Sequence, residues 1–141
     1  MIDRTVTILL VDDDEVDAMA VERGFRTLGI ANPVRRARDG EEALDALRDH
    51  ATSDMSGQPM VVLLDLKLPR QSGIETLREI RRDASLRRTV VFVLTTSESD
   101  EDRLAAYDLN VAGYLVKSQL PAAFLERLEM LDRYCHVVEL P

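Results

Sequence analysis

Met60-Val61-Val62-Leu63-Leu64-Asp65-Leu66-Lys67-Leu68-Pro69 is the stretch that decides the fold of this 141-residue chain. Its first five residues are apolar and partly β-branched, which is typical of a strand buried on both faces in the middle of a parallel sheet. The run ends at one carboxylate, Asp65, and Pro69 cannot extend a strand ladder. Open α/β folds bind their ligands beyond the carboxyl ends of the strands, so Asp65 lies where a functional group is expected.

Apolar runs and helical patterns alternate along the whole chain. We predict strands over residues 6–11, 33–37, 60–64, 89–94 and 112–116, and helices over 15–28, from Asp39, from Ser72, from Ser99 to Asn110, and from Pro121 to about 134. Residues 49–59 are polar and predict an exposed loop. Five strand–helix units in succession favour an α/β fold with a five-stranded parallel sheet in the order 2-1-3-4-5, the doubly wound, flavodoxin-like topology.

The composition limits the classes of function. The net charge of −8 and an aromatic content of 4% argue against nucleic-acid binding. No apolar run is long enough to span a membrane, and a single cysteine, Cys135, fits a reducing compartment. We therefore expect one cytoplasmic domain over residues 1–141, with a core over about 5–134, a tail over 135–141, and no membrane or nucleic-acid partner.

Polar residues stand where four of the predicted strands end. Asp12 and Asp13 follow the first strand, Asp65 the third, and Lys117 the fifth, while Thr95 follows the fourth. Taken singly, Thr95 would be a strand-end hydroxyl and Lys117 a surface lysine. Because the carboxyl ends of parallel strands share one edge of a sheet, we expect all five side chains to converge.

This set of side chains suits phosphoryl chemistry. Three adjacent carboxylates repel one another unless a cation joins them, and oxygen ligands of this kind suit Mg²⁺. A hydroxyl and an ammonium group can hold the oxygens of a phosphoryl group. We predict that Asp65 attacks phosphorus to form an aspartyl phosphate, with Mg²⁺ on Asp13 and Asp65, Asp12 positioning the ion, and Thr95 and Lys117 on the phosphoryl oxygens.

The ordered set of motifs resembles the receiver domain of response regulators in two-component signalling. The matching segments are Ile8-Leu9-Leu10-Val11-Asp12-Asp13-Asp14, Asp39-Gly40-Glu41-Glu42-Ala43-Leu44, Leu63-Leu64-Asp65-Leu66-Lys67-Leu68-Pro69, Leu94-Thr95-Thr96-Ser97 and Gly113-Tyr114-Leu115-Val116-Lys117. The Leu-Pro pair after the acceptor, the long loop before it and the segment around Thr95 also resemble single-domain regulators partnered with bacterial phytochromes.

The resemblance implies a phosphoacceptor rather than an enzyme. It implies phosphorylation of Asp65 by a histidine kinase, possible partnership with a bacterial phytochrome, and a further metal ligand from the backbone carbonyl of Lys67. It also implies a switch in which Thr95 moves toward the phosphoryl group while Tyr114 swings inward, which would reshape the surface of helix 4, strand 5 and helix 5.

Three positions vary from the usual family pattern. Ser118 stands where proline is usual after the lysine, which puts the loop geometry and the reach of Lys117 in question. Lys67 places a cation at the mouth of the site, where we expect it to alter the lifetime of the phosphoryl group. Thr96 replaces a smaller residue and would narrow the access to phosphorus.

The last helix predicts a protein contact. One apolar stripe is widened on both sides by further apolar residues, the stripe being Phe124, Leu128, Leu131 and Cys135 and the others Leu125, Met130, Tyr134, Val137 and Val138. An apolar surface of this width needs a second partner. We expect either a homodimer through this helix and the tail, or a helix end that packs back on its own domain.

Other functions remain open at this point. A phosphatase that forms an aspartyl phosphate would usually carry an acidic residue where Lys67 stands, and a nucleotide- or flavin-binding module would need a phosphate-cradling loop where the chain has three aspartates. A degenerate receiver that acts only as a binding scaffold is the remaining alternative.

Overall fold

The computed structural model describes residues 6–53 and 57–141, so residue 5, where we expected the core to begin, and residues 54–56 of the predicted loop lie outside the described part. The strands are β1 (Thr7–Val11), β2 (Val34–Ala37), β3 (Met60–Leu64), β4 (Val90–Thr95) and β5 (Gly113–Val116). All pair in parallel in the order 2-1-3-4-5, which confirms the predicted flavodoxin-like sheet.

A helix follows each strand. The helices are α1 (Glu15–Thr27), α2 (Gly40–Thr52), α3 (Gly73–Arg82), α4 (Asp100–Asp108) and α5 (Pro121–Val137). Four begin at a side chain that accepts a hydrogen bond from the first turn, namely Asp14, Asp39, Ser72 and Ser99. Each cap satisfies at least one amide that the helix itself leaves unpaired, so these residues fix where the chain turns away from the sheet edge.

The sheet separates two apolar clusters. Side chains of β1, β3 and β4 alternate between them, since successive residues of a strand point to opposite faces. Leu9, Val62 and Val93 lie with α2, α3 and α4, whereas Ile8, Leu63 and Phe92 lie with α1 and α5. Every residue of β3 is buried, as a strand in the middle of a doubly covered sheet requires.

Helices α1 and α5 pack closely on one face of the sheet. Gly24 provides the space, because a Cβ at that position would collide with the side chain of Leu128. In the same cluster, the ring of Tyr134 meets that of Phe92 edge to face, with centroids 4.8 Å apart, which is a favourable aromatic geometry. The two helices therefore share one buried surface.

Two predicted helix boundaries were wrong by three residues or more. Helix α2 continues to Thr52, so the first residues of the predicted 49–59 loop are helical, and the hydroxyl of Thr52 donates to the carbonyl of Arg48 within the last turn. Helix α5 continues to Val137 and takes three residues of the predicted tail. Cys135 and Leu140 both pack against the core, so apolar contacts hold this end of the chain against the domain.

Arg81 joins two loops of the domain through hydrogen bonds to their backbone carbonyls. The guanidinium of Arg81, in the last turn of α3, donates to four backbone carbonyls, those of Leu109 at 2.7 Å, Thr89 at 2.7 Å, Arg87 at 3.0 Å and Asn110 at 3.1 Å. Burial lowers the pKa of Arg81 from its ordinary value. Arg81 thus ties the end of α4 to the loop that precedes β4.

Candidate functional site

The register of the sheet brings the predicted site residues to one edge. Asp65 follows β3 and donates its amide to the carbonyl of Val11 at 3.0 Å, while Lys117 follows β5 and donates its amide to the carbonyl of Thr95 at 2.7 Å. These bonds extend the parallel ladders by one residue beyond the strands. They place the side chains of Asp65, Thr95 and Lys117 around one point.

Lys117 stands at the centre of the site. Its Nζ donates to Oδ2 of Asp12 at 2.9 Å, to Oδ2 of Asp65 at 3.0 Å and to Oδ2 of Asp17 at 2.8 Å. The first two contacts join residues that we expected to converge. The third involves a residue of α1 that the sequence did not single out.

The charges of this group affect one another. Burial acts against the ammonium, but hydrogen bonds to Asp17 and Asp12 and the charge of Asp65 outweigh it and raise the pKa of Lys117 above its ordinary value. For Asp12 the balance differs, since burial raises the pKa of its carboxyl despite the bonds from Asp14 and Lys117. The carboxylate partners of Lys117 therefore keep its ammonium charged.

Both oxygens of Asp65 have partners. Its Oδ1 accepts from the hydroxyl of Thr95 at 2.9 Å and from the amide of Lys67 at 3.2 Å, and its Oδ2 accepts from Lys117. Asp65 and Thr95 are buried, so these bonds lie in a medium that strengthens them. The carboxylate is held in one orientation at the end of β3.

Gly73 packs against the backbone of Asp65. Its amide donates to the carbonyl of Leu66 at 2.9 Å, which closes the loop from β3 back onto the start of α3. A Cβ at residue 73 would meet the backbone carbonyl of Asp65 and the Cα of Leu66. Only glycine allows the helix to begin so close to the backbone of Asp65 and Leu66.

Three carboxylates form a group that can hold a cation. One oxygen each from Asp12, Asp13 and Asp65 lies within 4.8 Å of the others. Asp12 and Asp65 are buried and Asp13 is exposed, which leaves one open side for water and substrate oxygens. An all-oxygen donor set of this kind fits Mg²⁺, which keeps part of its water shell.

The backbone of Asp12 is held by a residue that sequence reasoning missed. Arg36 of β2 donates from Nε at 3.0 Å and from Nη2 at 2.8 Å to the carbonyl of Asp12, and its Nη1 pairs with Glu15 at 3.1 Å. The signal was the second of two arginines in a short strand, placed directly before the buried Ala37. Its fork fixes the turn that presents Asp12 and Asp13.

Tyr114 contacts the loop between β4 and α4. Its hydroxyl donates to the carbonyl of Ser97 at 2.9 Å, and the hydroxyl of Ser97 donates to Asp102 of α4 at 2.7 Å. Burial raises the pKa of Tyr114, so the phenol remains protonated. Both predicted switch residues therefore have partners: Thr95 is hydrogen-bonded to Asp65, and Tyr114 is hydrogen-bonded to this loop.

The positions that vary from the family pattern lie around the rim. Ser118 follows a trans peptide bond, and its hydroxyl accepts from the amide of Leu120 at 3.1 Å, while Lys117 still reaches Asp65. The side chains of Lys67 and Thr96 are exposed. Lys67 contacts Asp65 through its amide, and the expected role of its carbonyl on the metal stays a prediction.

The apolar surface of α5 divides in two. Leu128 and Leu131 are buried, and Phe124, Tyr134 and Cys135 pack against the same cluster, as the alternative of a helix end packed on its own domain required. Met130, Val137 and Val138 are exposed and line an open groove with Glu126, Glu129 and Arg133. Within the described residues, no helix is long and apolar enough to cross a membrane.

The comparisons with known proteins agree with this geometry. The family model of the response regulator receiver domain matches residues 8–129. The probable methanogenesis regulatory protein FilR2 of Methanothrix harundinacea is 46% identical over 110 residues, which cover 78% of this chain and 70% of FilR2. The response regulator Rcp1 of Synechocystis sp. is 39% identical over 112 residues, which cover 79% of this chain and 76% of Rcp1.

Solved structures extend the similarity over almost the whole length. The phosphorylated cyanobacterial phytochrome response regulator RcpA superposes with a TM-score of 0.82 at 31% identity, covering 96% of this chain and 97% of RcpA. The Mn²⁺-bound form of Rcp1 gives a TM-score of 0.80 at 33% identity, covering 96% of this chain and 98% of Rcp1. With its sheet order, its acidic edge and a family match over most of its length, the chain belongs to the receiver domains of response regulators, the signalling proteins of two-component systems.

Proposed function

We propose that Asp65 accepts a phosphoryl group from a histidine kinase, with Mg²⁺ held by Asp12, Asp13 and Asp65. One observation carries the proposal. The carboxylate of Asp65 meets the ammonium of Lys117 at 3.0 Å on one oxygen and the hydroxyl of Thr95 at 2.9 Å on the other, beside a group of carboxylates that can hold a cation. This is the donor set that an incoming phosphoryl group requires.

The transfer exchanges one bond for another at phosphorus. An oxygen of Asp65 forms the new P–O bond, the P–N bond of the phosphohistidine breaks, and the imidazole leaves and is restored to its neutral, protonated form by solvent. Thr95 and Lys117 donate to oxygens of the transferred group. Mg²⁺, when bound, neutralises negative charge on the phosphoryl group and on the carboxylates.

Two alternatives are less well supported. A scaffold that is never phosphorylated would have no need of an ammonium and a hydroxyl aimed at the same buried carboxylate. A phosphatase would need an acid/base group beside the acceptor, and the side chain of Lys67 in that position is exposed and cationic.

Intact mass after incubation with Mg²⁺ and acetyl phosphate tests the proposal. We expect one added phosphoryl group in the native chain, none without Mg²⁺, and none in Asp65→Asn, which keeps the size of the side chain. A folded native protein that gains no mass would exclude the proposed chemistry and favour the scaffold.

The kinase partner is proposed to dock beside this site. Val16 and Met19 of α1 and Leu120 before α5 are exposed, with 75%, 53% and 69% of their surfaces accessible. All three lie at or near the edge of the sheet that holds Asp65, and apolar side chains there suit a helical partner. Because RcpA is named a phytochrome response regulator, a phytochrome kinase is the first candidate, to be compared with other histidine kinases by phosphotransfer rate.

We further propose a homodimer through α5. Met130, Val137 and Val138 are exposed beside Glu126, Glu129 and Arg133, so two copies related by a twofold axis could pair acidic with basic side chains around an apolar centre. Light scattering over a range of concentrations tests this. We expect Val137→Asp to dissociate the dimer and Glu41→Gln, on α2, to leave it intact; a monomer at every concentration would overturn the proposal.

A further inference from the structure

Lys117 has one carboxylate partner that belongs neither to the acceptor nor to the acidic group. Asp17 lies in the first turn of α1, and its Oδ2 is 2.8 Å from Nζ, compared with 2.9 Å for Asp12 and 3.0 Å for Asp65. An ammonium group has three N–H donors. In this structure all three are used, so Lys117 has none to spare for a new oxygen.

A phosphoryl group on Asp65 can engage Lys117 only by exchange with one of these partners. Asp12 is a poor partner to release, because its side chain is 2% exposed and water could not replace the ammonium around it. The side chain of Asp17 is 40% exposed. Water can replace the ammonium around Asp17, so this is the contact whose loss costs least.

We infer that Asp17 is a positioning residue that holds Lys117 toward α1 in the resting protein and releases it when a phosphoryl group occupies the site. The inference rests on the proposed function of Asp65. Asp17 acts in the resting state only, both by occupying a donor of Lys117 and by placing a negative charge where an anionic phosphodonor must approach. It therefore opposes phosphorylation and is not needed for it.

Kinetics with acetyl phosphate give the first measurement. Asp17→Asn keeps the shape of the side chain and removes its charge. We expect the half-saturating concentration of acetyl phosphate to fall by up to roughly fivefold, the upper end of what an exposed ion pair contributes. Asp45→Asn, an equal change of charge on the exposed side of α2, serves as the control and should leave this concentration unchanged.

The ammonium of Lys117 gives a second measurement that a merely structural role would not move. The chain has two lysines, Lys67 and Lys117, so selective ¹⁵N labelling of lysine yields two Nζ signals, and Lys67→Ala assigns them. We expect Asp17→Asn to shift the Lys117 signal in the resting protein. After saturation with Mg²⁺ and beryllofluoride, a stable mimic of the phosphoryl group, the two proteins should give the same signal.

The outcomes separate the two hypotheses. If the native protein gains no phosphoryl group on Asp65, the proposed function fails. If it does, and Asp17→Asn shows native kinetics or shifts the Lys117 signal equally in both states, then Asp17 is not released and the inference is wrong. Half-saturation that rises in Asp17→Asn would equally overturn it, since Asp17 would then assist the reaction.

Discussion

The hydroxyl of Thr95 donates to Oδ1 of Asp65 at 2.9 Å across two neighbouring strands, so the proposed acceptor is already held by the residue expected to bind its phosphoryl group. Thr95→Val keeps the buried volume and removes this donor. We expect phosphorylation by acetyl phosphate to slow about tenfold, since a hydrogen bond to a charged group is worth roughly 1.5 kcal/mol or more. Time courses of intact mass measure the rate. Thr95→Ser, which restores the hydroxyl, should recover most of it, and an unchanged rate in Thr95→Val would refute the role.

Tyr114 links β5 to the loop that starts α4. In Tyr114→Phe the bond to the carbonyl of Ser97 is lost. We expect a loss of about 1 kcal/mol in the free energy of unfolding, faster amide hydrogen exchange over residues 97–102, and a phosphorylation rate within about twofold of native, since the hydroxyl lies outside the acceptor's own hydrogen bonds. Hydrogen-exchange mass spectrometry before and after phosphorylation checks this. Native protection of that segment in the variant would show that the bond does not hold the loop.

Arg81 should be costly to replace although it lies outside the site. Lysine in its place cannot form the same fork, so Arg81→Lys leaves several carbonyls without a donor. We expect a loss of roughly 2–3 kcal/mol in the free energy of unfolding. Urea titration measures it as a lower midpoint at unchanged slope. Arg78→Lys, exposed on the same helix, is the matched control. Equal midpoints for the two variants would contradict a stabilising role for the hydrogen bonds of Arg81.

Metal binding should stabilise the folded protein through Asp13. At a hundredfold excess over its dissociation constant, Mg²⁺ is expected to add about 2.7 kcal/mol to the free energy of unfolding. Asp13 is exposed, so Asp13→Asn should fold normally and lose most of this effect. It should also be more stable than the native chain in EDTA, because one of three repelling charges is gone. Thermal melts with graded Mg²⁺ test both, and an identical Mg²⁺ response would exclude Asp13 as a ligand.

The single thiol should react slowly. Burial raises the pKa of Cys135 to about 11 from an ordinary value of 9.0, and the thiolate is the reactive form. At pH 8 we expect alkylation roughly a hundredfold slower than in the urea-unfolded chain, rising about tenfold per pH unit until the pH approaches the raised pKa. Iodoacetamide labelling followed by mass gives the rate. Equal rates in the folded and unfolded chains would show that α5 does not bury the thiol.

The residues at the strand ends could be predicted because a parallel sheet converts sequence position into spatial position. The apolar run Met60–Leu64 ends at a charged residue, Asp65, which marks the end of the strand. The residue that follows a strand lies at the carboxyl edge of the sheet. The helix caps were equally predictable, since Asp39 and Ser72 act on amides three residues away. Local rules are sufficient where the partners are near in sequence.

Asp17 and Arg81 could not be predicted in the same way. The contact of Asp17 with Lys117 spans 100 residues and depends on how α1 is rotated about its axis. The carbonyls around Arg81 come from two loops whose relative position only the packed domain determines.

The close packing of Gly73 against the backbone of Asp65 limits which residue position 73 can hold. The collision that a side chain at residue 73 would cause is with main chain, at Asp65 and Leu66, and no choice of rotamer relieves it. Lys67 and Thr96 lie at the rim of the site and are exposed, so other side chains at these positions would meet no such collision. Residues at the rim can therefore vary without disturbing the backbone that carries Asp65, whereas position 73 is restricted to glycine.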